Sequence, residues 1–186
     1  MPDLQGFGRR AMHISPQECY DLVLYQSGAV EAFARAAGAR LHHVKIHGML
    51  YNMAAKDAEL ADAIARATKD LGGGTMLYAL SGSAMKDAAR RHGVRAIGEV
   101  FGDRSYQSDG TLTPRSQPGA MITEEAASVA QVLMMVEQGK LRSLDGVEVP
   151  VDAGTLCLHG DQPGAVRFAT ALRAALAERK IEMRAP

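Results

Sequence analysis

The sequence predicts an α/β fold built on parallel strands, and two observations carry that prediction. Short apolar strand patterns and longer helical patterns alternate four times along the chain, as crossover connections between parallel strands require. The chemistry-bearing residues His47, Ser81, Glu99 to Asp103 and His159 to Asp161 all fall where a strand pattern finishes. In α/β folds ligands bind at those carboxyl ends, because the loops there are free to vary. The alternation admits a barrel or an open doubly wound sheet. Four strands alone are too few to close a parallel barrel, which needs about eight.

Each element has a local reason. "SPQE" opens the first helix, with Ser15 as N-cap, Pro16 at the first helical position and Glu18 closing a capping box; the helix runs to about Ala37 and Gly38 stops it. A strand is expected over 41–47. Asp57 can cap a helix over 58–71, which "LGGG" ends. "TMLYAL" (75–80) is a short apolar strand, and helix 83–92 follows it, ended by Gly93. "VRAIGEVF" (94–101) is the next strand. The polar stretch 102–120 reads as a long loop, a length that usually carries function. An amphipathic helix starts at Thr123, with Met134 and Met135 as core filler. "LRSLDGVEVPV" reads as a hairpin turning at Asp145-Gly146. "TLCLHG" (155–160) is the last strand, and Pro163 starts a helix to about Lys180.

Length and composition exclude several classes. A chain of 186 residues fits one domain, 1–186, with a real core. Its apolar fraction of 47% excludes disorder, and 21 basic against 21 acidic residues leave no net charge. That balance argues against nucleic-acid and membrane-surface partners. No apolar run approaches the length of a membrane span. Cys19 and Cys157 are far apart and unlike a metal pair, so reduced thiols in a cytoplasmic protein are expected.

The stretch "LHHVKIHGMLYN" puts titratable groups into a strand pattern. Alternation sets His43, Lys45 and His47 on one face, and Val44 and Ile46 on the other. The same rule puts Cys157, His159 and Asp161 on one side of the last strand if it stays extended through Gly160. Buried lysine and imidazole are costly unless paired, so a cleft gathering Lys45, His47, His159 and Asp161 would explain them. Arg104 and Arg115, in the long loop, carry planar forks suited to a carboxylate or phosphate, although Asp103 can pair with either and only brace the loop. His42 and His92 read as solvated and His13 as structural. "GGG" at 72–74 lacks the lysine of a phosphate loop and reads as a turn.

Five stretches, "PDLQGFGRR", "VKIHGMLYN", "EVFGDRSY", "LTPRSQPGA" and "CLHGDQPGA", occur in the order and at the spacing of one family. On them the chain resembles the LamB/YcsF family. The resemblance implies a distorted TIM-like β/α barrel of the glycoside hydrolase and deacetylase type. It implies a hydrolase taking part in the ATP-dependent opening of 5-oxo-L-proline to L-glutamate, with ATP and Mg2+, together with companion subunits B and C. Lys45, His47, Arg104, Arg115, His159 and Asp161 are the residues carried over. From the chemistry such a reaction needs, His159, Asp161 and His47 are expected as the catalytic set, and Lys45, Arg104 and Arg115 as the substrate and phosphate set. Ile46 and Met49 depart from the family's usual proline and small residue, without removing a functional group. The matched start lies well inside a typical member, so the barrel is expected to be incomplete at the N-terminus. A shortened product, a start assigned too far downstream, and a segment supplied by another chain all fit. An incomplete barrel exposes apolar edges, which favours self-association.

Two further readings stay open. One is a metal-dependent amide or carbohydrate deacetylase using His47, His159 and Asp161 as ligands. The other is a catalytically silent binding or regulatory role within a larger assembly.

Overall fold

The computed structural model describes residues 1–161 and 163–184. They divide into two compact units, Met1–Ile97 and Gly98–Pro186.

In the first unit the Ser15 capping box forms as expected and α1 spans Pro16–Ala36. The strand expected over 41–47 contracts to β1, His43–Lys45, because His47 becomes the N-cap of an unforeseen helix α2, Gly48–Lys56. Asp57 then caps α3, Ala58–Asp70, accepting from the amides of Glu59 and Leu60. The strand β2, Met76–Leu80, pairs parallel with β1 in the register His43 to Met76 and Lys45 to Tyr78. Helix α4, Ala84–His92, ends on Gly93 at φ 71°. Helix α3 lies between α1 and α4 and supplies much of the core through Leu60, Ile64 and Ala67.

The strand β3, Ala96–Phe101, leads into the second unit, where it pairs parallel with β6, Thr155–Cys157. Between them come α5, Glu125–Gln138, and the antiparallel pair β4, Lys140–Arg142, and β5, Glu148–Pro150, turning at Asp145-Gly146 as expected. The last helix, α6, covers Ala165–Glu178 and starts two residues after Pro163. Val132 of α5 and Leu172 and Leu176 of α6 form the centre of this unit, with Leu156 and Leu158 packed on it. Gly98 permits a close approach, since a Cβ there would run into the carbonyl oxygen of Asp152.

The fold class is therefore α/β with parallel strand pairs, and the exits of β1 and β3 carry the residues of interest. Among the described residues no helix is long and apolar enough to cross a membrane.

Candidate active site

In the second unit a carboxylate and an imidazole meet at the exits of β3 and β6. The register pairs Phe101 with Cys157, and two residues further on it brings Asp103 opposite His159. Asp103 Oδ2 accepts from the backbone amide of His159 at 2.7 Å and lies 2.8 Å from its Nδ1. A carboxylate only accepts, so Nδ1 carries a proton, and in the neutral ring Nε2 keeps its lone pair. The ring stacks on Phe101 at 5.8 Å between centroids and is half-buried, while Asp103 is buried. Burial alone would raise the Asp103 carboxyl, but the bonds from the His159 ring and amide hold it below the usual carboxylate value. An oriented imidazole with a basic second nitrogen is the form a general base takes.

The partner of His159 differs from the one expected. β6 ends at Cys157 and the chain turns at Gly160, so alternation does not carry through to Asp161, which sits exposed in that turn. Asp103, expected to brace an arginine, is the carboxylate on the His159 ring instead. The signal was present in the sequence, since Phe101, Asp103, Cys157 and His159 follow the two-residue period. What the sequence lacked was the pairing of β3 with β6, which are separated by α5 and the hairpin.

Arg104 is buried inside the long loop, where Nε donates to the carbonyl of Ala120 at 3.2 Å and Nη2 to that of Thr113 at 2.5 Å. Its fork thus holds the two sides of the loop together, while Arg115 lies exposed further along. Ser105 Oγ donates to Thr113 Oγ1 at 2.8 Å, and the Tyr106 hydroxyl accepts from the amide of Phe101. Gln131 Nε2 of α5 donates to the carbonyls of Phe101 and Arg104, and Ser128 Oγ to that of Gly102. The residue beside the dyad is thereby fixed from both directions.

The first unit holds Lys45 and His47, both exposed near the exit of β1. His47 Nε2 lies 2.8 Å from the carbonyl oxygen of Phe7, and the two rings meet edge to face at 4.9 Å. Carbonyl oxygen is an acceptor, so here Nε2 carries a proton, and in the neutral ring Nδ1 is the atom with the lone pair. The turn bearing Phe7 is itself fastened. Met49 N–H donates to the Gly8 carbonyl at 2.8 Å, and the buried Asp3 carboxylate accepts from Gly6 N–H and from the Arg10 guanidinium. The Arg10 guanidinium holds the Asp3 carboxyl below its usual value. His92 departs from the solvated reading, being half-buried with Nε2 2.8 Å from Asp62. His42 is exposed and sets Nδ1 3.1 Å from that of His43, whose ring stacks on Tyr78. Among the described residues no group of three His, Cys, Asp or Glu side chains could hold a metal ion.

The family model described as LamB/YcsF matches residues 1–186. The chain belongs to the LamB/YcsF family. A relative from Bordetella parapertussis, described as the A component of 5-oxoprolinase, is 59% identical over 185 residues, which are all of this chain and 73% of the relative. One of the same description from Tolumonas auensis is 52% identical over 185 residues, all of this chain and 74% of the relative. Among solved structures, the lactam utilization protein of Thermus thermophilus superposes with a TM-score of 0.89 at 47% identity, over all of this chain and 74% of that one. That match agrees with the barrel-like α/β class expected for this family.

Proposed function

We propose that this chain acts as the A component of 5-oxoprolinase, a hydrolase of a five-membered cyclic amide, working in the cytoplasm with companion subunits B and C. The observation that supports it most is the match over the whole of this chain, above half identity, to relatives described in those words. A base poised for water attack, Nε2 of His159 oriented by Asp103, suits the same chemistry.

A lactam is resonance-stabilised and a poor electrophile. In this reading ATP phosphorylates the ring carbonyl oxygen, and ADP leaves. Water then attacks the ring carbon while His159 Nε2 takes its proton. Cleavage of the ring C–N bond, with the ring nitrogen taking up a proton, leaves the acyl phosphate of the opened chain, and a second water hydrolyses it to glutamate and inorganic phosphate. Arg115 is proposed to hold the substrate carboxylate or the phosphates, with Mg2+ entering alongside the triphosphate, and Lys45 of the first unit is proposed as an anion-binding residue in its own right. Arg104 positions the loop that carries Arg115. His47, with Nδ1 basic, is proposed as a second acid/base group, and Asp103 takes the orienting role expected of Asp161.

The test is reconstitution. This protein, mixed with subunits B and C, 5-oxo-L-proline, Mg2+ and ATP, should release glutamate in step with ADP. ADP formation without glutamate, or no turnover in an assembled complex, would reject the reading.

A further inference from the structure

A strand loses its backbone partners where it leaves the sheet, and the ladder between β3 and β6 ends at Phe101 and Cys157. Asp103 lies beyond that point, yet the backbone around it stays bonded. Gly102 N–H donates to the Cys157 carbonyl at 3.1 Å, and the Asp103 carbonyl accepts from Ile122 N–H at 3.0 Å. The neighbouring carbonyls are taken by two side chains of α5. Ser128 Oγ donates to that of Gly102 at 2.7 Å, and Gln131 Nε2 donates to those of Phe101 at 2.9 Å and Arg104 at 3.0 Å. Side chains of a helix thus replace the sheet as partners of the strand exit.

Helix formation does not call for these residues. Ser128, Gln131, Val132 and Met135 recur at three- and four-residue spacing, so they share one face of α5. Ser128, Val132 and Met135 are buried and Gln131 is half-buried. A hydroxyl and an amide on a core-facing stripe are costly unless bonded, and both direct their donors at the segment that carries Asp103. Gly102 lets the two segments close up, since a Cβ there would lie 3.2 Å from the Val132 side chain and 3.1 Å from that of Leu158.

We propose that Gln131 and Ser128 are positioning residues for the Asp103–His159 dyad, an inference that rests on reading His159 as the base. Gln131 spans Asp103, tying the carbonyl of Phe101 before it to that of Arg104 after it. Together with Ser128 it holds the peptide planes on both sides of Asp103, and with them the direction of the carboxylate. Asp103 Oδ2 then sets the His159 ring through Nδ1 at 2.8 Å and through the backbone amide at 2.7 Å. A misplacement of about 1 Å at a reacting group costs on the order of a hundredfold in rate.

The test is Q131M, which keeps the reach of the side chain and removes its donors, with Q131E as a second variant of nearly the same shape. The His159 Nδ1 proton and the His159 backbone amide both report on Asp103 Oδ2, the first by its proton and nitrogen resonances and the second by hydrogen exchange. In either variant the His159 amide should exchange at least about tenfold faster and the ring-proton resonance should shift or vanish, while the Leu172 amide of α6 exchanges as in wild type. In the enzyme assembled with subunits B and C, kcat should fall by about ten- to a hundredfold at nearly unchanged KM, and Q131M should add nothing to D103N. A Gln131 that only holds α5 in place would quicken exchange at Leu172 as much as at His159 and leave the ring proton where it was, and that result overturns the proposal. So does an effect of Q131M that adds in full to that of D103N. The exchange and ring-proton readouts need no turnover, so they decide this inference even if the assembled complex is inactive and the proposed activity falls.

Discussion

Two imidazoles illustrate how a single neighbour sets what a side chain can do. His159 is tied through Nδ1 to a carboxylate and His47 through Nε2 to a carbonyl, so each offers its other nitrogen as a base. H159A should lower turnover of the reconstituted enzyme by about a hundred- to ten-thousand-fold at unchanged assembly, measured as glutamate release. D103N keeps the shape but replaces an acceptor carboxylate, so it should reduce kcat more than KM and shift the pH–rate profile. An unchanged profile would remove Asp103 from its positioning role. The same carboxyl makes an acid-stability prediction. Its folded value lies below the unfolded one of about 3.9, so its stabilisation is present above that value and is lost as pH falls through the lower folded value. Wild type should lose stability relative to D103N as pH drops below about 4, as read from urea midpoints.

At the scale of elements, close backbone approaches decide where glycine stands and what a mutation costs. Gly48 begins α2 at φ 68°, and a Cβ there would run into the carbonyl oxygen of Gly8. G48A should therefore destabilise by about 1–3 kcal/mol and free the Phe7 turn from His47, seen as faster exchange over 3–9. Arg104 joins the two sides of the long loop, so R104A should loosen 104–120 to proteolysis and lower activity indirectly. R104K, with one ammonium in place of a planar fork, should rescue only part of that loss. Capping made several elements readable in advance: Ser15 with Glu18, Asp57 and Gly93 all act as their types predict. Helix α2 was not readable. Its N-cap, His47, makes no side-chain cap bond, and "IHGMLYN" looks like the continuation of a strand.

For the whole molecule, the alternation of apolar strands with capped helices was enough to read a parallel α/β fold. Strand neighbours were not, because pairing between β3 and β6 depends on contacts across more than fifty residues of chain. That gap explains why the sequence could not show Asp103 as the carboxylate on His159 Nδ1. It also explains Arg104, whose residue type suits an anion while its burial between loop carbonyls was invisible in sequence. The division into two compact units was equally hidden, since no linker composition marks Ile97–Gly98. The central claim is that this chain contributes the Asp103-held base to opening a lactam. Its most direct measurement compares wild type and H159A, each assembled with subunits B and C, for ATP-dependent glutamate release from 5-oxo-L-proline. The account predicts robust release by wild type and near-complete loss in an equally assembled H159A complex. Equal rates from the two complexes would contradict it.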